Sequence, residues 1–142
     1  MEGPVGAAPV ILYVEDDDDT RELVHRWLRE AAAGAVAVAV GSAVAALEFC
    51  RATMPLLVIT DLRMPYMDGE AFIRSLHDEF GDTAPPVLIL TGAKPQGWRP
   101  DVPLVEGVIH KPADKFEVLR EVERCLRLTA IPVSESSRTR DR

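Results

Sequence analysis

Residues 56–69 read LLVITDLRMPYMDG, and the class of the fold follows from this stretch. Its first five residues are apolar or β-branched and end at Asp61, a pattern typical of a strand buried on both faces of a parallel sheet. Pro65 and Gly69 interrupt the residues that follow, so the chain continues as a loop. The stretch therefore predicts a central strand that carries Asp61 to one edge of a sheet.

Four further stretches of the chain are predicted strands, at residues 10–14 (VILYV), 36–40 (VAVAV), 87–91 (VLILT) and 107–110. Helical patterns separate them, with Asp19 or Thr20 as the predicted N-cap of the first helix and Ser42 as that of the second. The last predicted helix spans about residues 114–128. Strands that alternate with helices in this way predict a parallel sheet with right-handed crossovers.

The composition excludes several classes of protein. The chain has 142 residues, which is enough for one domain and short for two. Its net charge of −7, without a basic patch, argues against binding to nucleic acid. No apolar run approaches the roughly 20 residues that span a bilayer, and the N-terminus lacks a secretory pattern. We therefore expect a cytoplasmic protein without a membrane partner, and Cys50 and Cys125 are expected to be buried free thiols.

Polar side chains stand where the predicted strands end. Glu15 and Asp16 follow the first strand, Asp61 the third, Thr91 ends the fourth and Lys111 follows the fifth. The carboxyl ends of parallel strands meet at one edge of the sheet, where ligands bind. Converging carboxylates repel one another, and Mg²⁺ relieves this repulsion because it takes one or two carboxylates together with waters and phosphate oxygens. These residues predict a site that receives a phosphoryl group on a carboxylate.

Four motifs occur in order at these strand ends: VEDD (14–17), DLRMPYMDG (61–69), the strand-ending Thr of VLILTGA (87–93) and HKP (110–112). Over residues 9–128 the chain resembles a single receiver domain of the two-component response regulators, with the fold of the chemotaxis receivers. The resemblance implies an α/β, flavodoxin-like, doubly wound fold with a five-stranded parallel sheet in the order 2-1-3-4-5. Residues 1–8 and 129–142 are then expected to be flexible tails.

The resemblance also implies a metal site. Asp61 is the implied phosphorylated nucleophile, and Asp16 and Asp61 are the implied direct ligands of Mg²⁺. Glu15 is expected to act near the ion through water, and the backbone carbonyl of Arg63 is expected to complete the site.

The remaining roles implied by the resemblance concern the phosphoryl group and its source. Thr91 is expected to bond the incoming phosphoryl group and Lys111 to pair with it, while Pro112 is expected to follow a cis peptide bond. The implied donor is a sensor histidine kinase or a phosphotransfer protein, and the signal passes to an output protein. The domain is expected to be a monomer or weak homodimer. The resemblance implies no enzymatic activity beyond the domain's own phosphoryl transfer and autodephosphorylation.

Three features depart from the family's pattern. Val108 stands where similar receivers carry a Tyr or Phe that acts as a rotameric switch. Residues 92–106, GAKPQGWRPDVPLVE, contain three prolines, so the family's fourth helix is predicted to be shortened or replaced by a loop. Trp98 then packs in place of that helix or marks a partner contact. Arg63, two residues after Asp61, is hypothesised to tune the lifetime of the phosphorylated state.

Three functions are therefore considered. The first is a phospho-acceptor switch. The second is a degenerate receiver, an interaction module that does not depend on phosphorylation, which Val108 and the interrupted helix favour. The third is a Mg²⁺-dependent phosphatase with an Asp nucleophile. Such enzymes place a second Asp two residues after the first, and this chain has Arg63 there, which argues against the third function.

Overall fold

The computed structural model describes residues 8–30, 34–92 and 102–128. These residues form five strands: β1 (Val10–Val14), β2 (Val36–Val40), β3 (Leu57–Thr60), β4 (Val87–Thr91) and β5 (Val105–His110). They also form helices α1 (Asp18–Leu28), α2 (Ala43–Ala52), α3 (Gly69–Phe80) and α4 (Lys115–Leu128), with a 3₁₀ turn at Gly81–Thr83.

The five strands form one sheet in the order β2-β1-β3-β4-β5, and every pairing between neighbours is parallel. This confirms the predicted flavodoxin-like order 2-1-3-4-5. The most apolar strands, β1, β3 and β4, occupy the centre of the sheet, where both faces are covered and a continuous apolar run can be buried.

The sheet separates two apolar cores, because successive side chains of a strand point to opposite faces. One core joins the sheet to α2 and α3, and the other joins it to α1 and α4. In β1, Leu12 belongs to the first core, whereas Tyr13 belongs to the second. Cys50 and Cys125 are buried free thiols in the first and second cores, which confirms the prediction for both.

The N-cap of α1 is Asp17, so the prediction of Asp19 or Thr20 was wrong. The backbone of Asp17 is still extended, and its carboxylate accepts a hydrogen bond from the backbone N–H of Thr20 at 2.8 Å. That bond lowers the pKa of Asp17. The chain turns into the helix directly after β1, which places Asp19 inside the first turn. Ser42 caps α2 as predicted, by accepting from the backbone N–H of Ala45.

Strand β5 begins at Val105, two residues before its predicted start at Gly107. Val105 pairs with Val87, and the register then shifts between Val87 and Leu88. Pairing with β4 therefore extends β5 to residues that lack the alternation of apolar side chains typical of a strand. The loop or shortened helix predicted before β5 falls largely on residues 93–101, including Trp98, which lie outside the described residues. The same holds for residues 1–7 and 129–142 of the predicted tails.

Within the described part of the chain, none of the helices has the length and apolar character required to cross a lipid bilayer.

Replacing Ile59 by Ala is expected to lower the free energy of unfolding by about 2–5 kcal/mol, because a large side chain in a well-packed core leaves a cavity. Ile59 lies in the central strand β3 and is completely buried. Val44→Ala is the matched control, since Val44 is 52% exposed on α2 and Ala favours a helix. Urea titration measures both changes, and equal changes would contradict the assignment of the core.

Candidate functional site

The carboxyl ends of β1, β3 and β5 meet around one ammonium group. Lys111 Nζ lies 2.8 Å from Glu15 Oε1 and 3.1 Å from Asp61 Oδ2. Glu15 is 2% exposed and Asp61 7% exposed, so both carboxylates are removed from bulk water. The structure thus brings together three of the predicted site residues, and one cation contacts two acids that would otherwise repel each other more strongly.

Glu15 is held by several donors. The hydroxyl of Tyr13 donates to Glu15 Oε1 at 3.2 Å, and the backbone N–H of Asp17 donates to Oε2 at 3.2 Å. Arg21 Nη1 donates to the backbone carbonyl of Glu15 at 3.0 Å. The sequence reasoning did not identify Tyr13 or Arg21. The alternation of side chains along β1 could have revealed Tyr13, because it precedes Glu15 by two residues.

The protonation of Lys111 follows from its surroundings. Burial alone lowers the pKa of Lys111, but the hydrogen bonds to Glu15 and Asp61 and the charges of both acids outweigh this effect, and the pKa is raised. A raised pKa means that the ion pairs are fully present below the ordinary lysine range and are lost only as the pH rises through the shifted value. The ammonium is therefore charged throughout the neutral range.

Asp16 and Arg63 lie beside this buried cluster. Asp16 is exposed and, with Arg63 and Asp68, lines a surface cavity of about 450 Å³. The backbone N–H of Arg63 donates to Asp61 Oδ1 at 3.1 Å. The cavity that Arg63 lines is therefore next to Asp61, the predicted phosphate acceptor. The two oxygens of Asp61 therefore have different partners, a backbone amide on Oδ1 and Lys111 on Oδ2.

Thr91 lies at the carboxyl end of β4 and is completely buried. Its backbone carbonyl accepts a hydrogen bond from the backbone N–H of Lys111 at 2.8 Å, so the ends of β4 and β5 lie side by side. The Lys111–Pro112 peptide bond is cis, as predicted. Val108 pairs with Ile89 and packs against the core shared with α2 and α3.

The residues of the site fit a hydrated magnesium ion. Among the described residues, no group of three or more acidic, His or Cys side chains is arranged to hold a metal by itself. Mg²⁺ does not need such a cage, because it keeps several waters and binds one or two carboxylates. Asp16 and Asp61 would supply the carboxylates, and the backbone carbonyl of Arg63 a third oxygen. Glu15 accepts two hydrogen bonds on Oε1 and one on Oε2, so Oε2 would still be able to accept one from a water of the ion.

A glycine allows α3 to begin directly against the predicted acceptor. A Cβ added to Gly69 would lie 2.2 Å from the backbone oxygen of Asp61 and 2.7 Å from the Cα of Leu62. The N–H of Gly69 donates to the carbonyl of Leu62 at 2.8 Å. Asp68 caps α3 through the backbone N–H of Ala71, so residues 68 and 69 together fix the turn that returns to Asp61.

Comparisons with known proteins concern the family and the fold of this chain. The model of the response regulator receiver domain family matches residues 11–123. An uncharacterized 14.6 kDa protein in the sodA1 3′ region of Leptolyngbya boryana is 31% identical over 82% of this chain and 89% of its own length. Response regulator Rre1 of Synechocystis sp. is 30% identical over 79% of this chain. The match covers 49% of Rre1, so this chain spans about half the length of that relative.

Solved structures share the fold. The signal receiver domain of an HD domain-containing protein from Pseudomonas fluorescens Pf-5 superposes with a TM-score of 0.76 at 20% identity, covering 86% of this chain and 97% of that chain. A CheY-like response regulator receiver domain from Methanospirillum hungatei gives a TM-score of 0.75 at 22% identity, covering 85% and 96%. The chain belongs to the response regulator receiver domain family, whose members act in phosphorylation-based signalling.

Replacing Gly69 by Ala is expected to lower the free energy of unfolding by about 1–3 kcal/mol, since the added methyl group has to displace the backbone at Asp61 and Leu62. Gly92→Ala is the matched control, because its Cβ would lie 3.7 Å from Lys111 Cβ, an ordinary contact. Chemical denaturation measures both variants. Equal stability of Gly69→Ala and the unmodified chain would show that the close approach of α3 is not required.

Proposed function

We propose that this receiver domain is a phospho-acceptor switch in which Asp61 takes a phosphoryl group, with Mg²⁺ bound, from a sensor histidine kinase or a phosphotransfer protein. The observation that carries the proposal is the position of Lys111 Nζ, 2.8 Å from Glu15 Oε1 and 3.1 Å from Asp61 Oδ2. A cation in contact with a buried carboxylate is suited to a reaction that adds negative charge to that carboxylate.

In the proposed transfer, a carboxylate oxygen of Asp61 attacks the phosphorus of a phosphohistidine. The new O–P bond forms as the P–N bond breaks, and the imidazole leaves. Lys111 already contacts Oδ2, so its ammonium lies within reach of phosphoryl oxygens attached there, and Thr91 would donate its hydroxyl to another. Bound Mg²⁺ would neutralise charge on the phosphoryl oxygens. Autodephosphorylation is the attack of water on phosphorus, which releases inorganic phosphate and restores Asp61.

The phosphoryl group would act by adding negative charge beside a cluster in which one cation already contacts two acids. Such charge biases an equilibrium between two conformations and is read by another protein. We propose that the output is a protein contact, made by a monomer or weak homodimer. We propose that the transfer takes place in the cytoplasm, where kinases make phosphohistidine from ATP. We propose no turnover of external substrates, because Arg63 stands where an Asp-dependent phosphatase has its second Asp.

Incubation with acetyl phosphate and Mg²⁺ is expected to add one phosphoryl group to the chain, detected by intact-protein mass spectrometry and mapped to Asp61 by peptide analysis. Chelation of Mg²⁺ is expected to abolish the adduct, because the charge on the phosphoryl group is then not neutralised.

Asp61→Asn is the test variant and is expected to carry no adduct, since an amide oxygen is a poor nucleophile. Asp82→Asn is its matched control: Asp82 is exposed in the 3₁₀ turn, outside the site, and the same substitution there is expected to leave labelling unchanged. The proposal is abandoned if wild-type protein gives neither an adduct nor Mg²⁺ binding.

The degenerate receiver is a second candidate, and one observation favours it. Val108 packs in the core shared with α2 and α3, and it offers no aromatic ring whose rotation could report on Thr91. Under this alternative, partner binding is the same for the unmodified chain and for Asp61→Asn. The two candidates therefore differ in whether partner affinity changes with phosphorylation.

The side chain of Arg63 is proposed to retain the phosphoryl group. It is exposed and lines the cavity with Asp16, while its backbone N–H contacts Asp61. Arg63→Ala keeps the backbone contact and removes only the cation. An exposed ion pair contributes up to about 1 kcal/mol, so we expect dephosphorylation to accelerate by up to about fivefold.

The rate is measured from the decay of the labelled chain after removal of acetyl phosphate. Arg63→Lys preserves the positive charge and is expected to decay at a rate between those of the wild type and Arg63→Ala. An unchanged rate in Arg63→Ala would exclude this role.

A further inference from the structure

Tyr13 combines a completely buried ring with a hydroxyl at the edge of the acidic site. The ring belongs to the core between the sheet, α1 and α4, together with Val24 and Val122. Its hydroxyl reaches Glu15 Oε1, 3.2 Å away. Close packing limits the ring to one orientation, so the hydroxyl is a fixed donor beneath the site. The raised pKa of Tyr13, caused first by burial and then by the charge of Glu15, keeps that hydroxyl protonated.

Two donors meet on one oxygen of Glu15. Tyr13 and Lys111 both contact Oε1, and the backbone N–H of Asp17 contacts Oε2. Lys111 is itself shared with Asp61 and has a long flexible side chain. Tyr13 is therefore the side-chain donor whose position is set by the core rather than by the site.

The side chain of Glu15 needs a hydrogen-bond donor to fix its orientation. A glutamate has one more rotatable bond than an aspartate, so ordering it costs more conformational entropy. Glu15 is 2% exposed, and water contributes little to its orientation. Groups that hydrogen-bond to residues of a metal site commonly set both orientation and affinity.

We propose that Tyr13 is a positioning residue for Mg²⁺ binding, acting through Glu15. Its hydroxyl contacts Oε1 and would orient the carboxylate, so that Oε2 would accept from a water of Mg²⁺ held by Asp16 and Asp61. The inference rests on the proposed Mg²⁺-dependent function, and it adds Tyr13 to the residues of that site.

Tyr13→Phe tests the proposal, because the substitution removes the hydroxyl and keeps the ring that fills the core. The Kd for Mg²⁺, measured by isothermal titration calorimetry on the full chain, is expected to rise by up to about tenfold. Removing a group that orients a direct metal ligand costs about tenfold or more, and Glu15 acts on the ion through water. Labelling by acetyl phosphate is expected to slow at limiting Mg²⁺ and to recover at saturating Mg²⁺.

Two controls separate positioning from packing. Tyr66→Phe removes the hydroxyl of the other tyrosine, whose side chain is fully exposed, and is expected to leave the Kd unchanged. Tyr13→Phe is also introduced into Glu15→Ala, where the carboxylate is absent. There it is expected to change the Kd no further, since two residues that act through one contact are not additive.

The outcomes are distinct. A raised Kd in Tyr13→Phe alone, with the effect lost in Glu15→Ala, supports the proposal. An unchanged Kd in Tyr13→Phe, or an equal rise in both backgrounds, overturns it and leaves the proposed function intact. If the wild type binds no Mg²⁺, the proposed function fails and this inference fails with it.

Discussion

The ion pair of Lys111 with Glu15 and Asp61 is the interaction on which the geometry of the site depends. It joins the ends of three strands whose residues are separated by 96 and 50 positions in the chain. Burying charges is costly unless each one is paired and hydrogen-bonded. The structure meets this requirement with donors from Tyr13 and from the backbone of Asp17 and Arg63. Any change in the charge of Asp61 therefore disturbs the whole cluster.

The two faces of the sheet pack against different residues around this cluster. Tyr13 packs with α1 and α4, and Val108 packs with α2 and α3, on the other face of the sheet. The Tyr13 donor to Glu15 is thus supported by one core. The position that carries an aromatic switch in similar receivers belongs to the other core, where this chain has an aliphatic residue. Tyr13, which contacts Glu15, and the switch position of similar receivers therefore belong to separate cores of this domain.

Much of the fold could be predicted because the signals are local. Strand β4 reads as a continuous apolar run, and burial on both faces requires such a run wherever the strand lies. The first residues of α1 and β5, in contrast, depend on tertiary contacts. Asp17, Asp19 and Thr20 are all suitable caps by composition, and only the turn after β1 selects Asp17. Strand β5 extends to Val105 because β4 supplies a partner there, which no local pattern encodes.

The sequence by itself determined which residue types end each strand, and therefore that Glu15, Asp61 and Lys111 meet at one edge of a parallel sheet. This follows because the carboxyl ends of parallel strands coincide and side chains alternate with a period of two. Only the tertiary structure decided how the donors are distributed, with Tyr13 and Lys111 on one oxygen of Glu15 and the amide of Arg63 on Asp61. Hydrogen-bond partners are selected over distances of a few ångströms, and those distances depend on how the helices pack on the sheet.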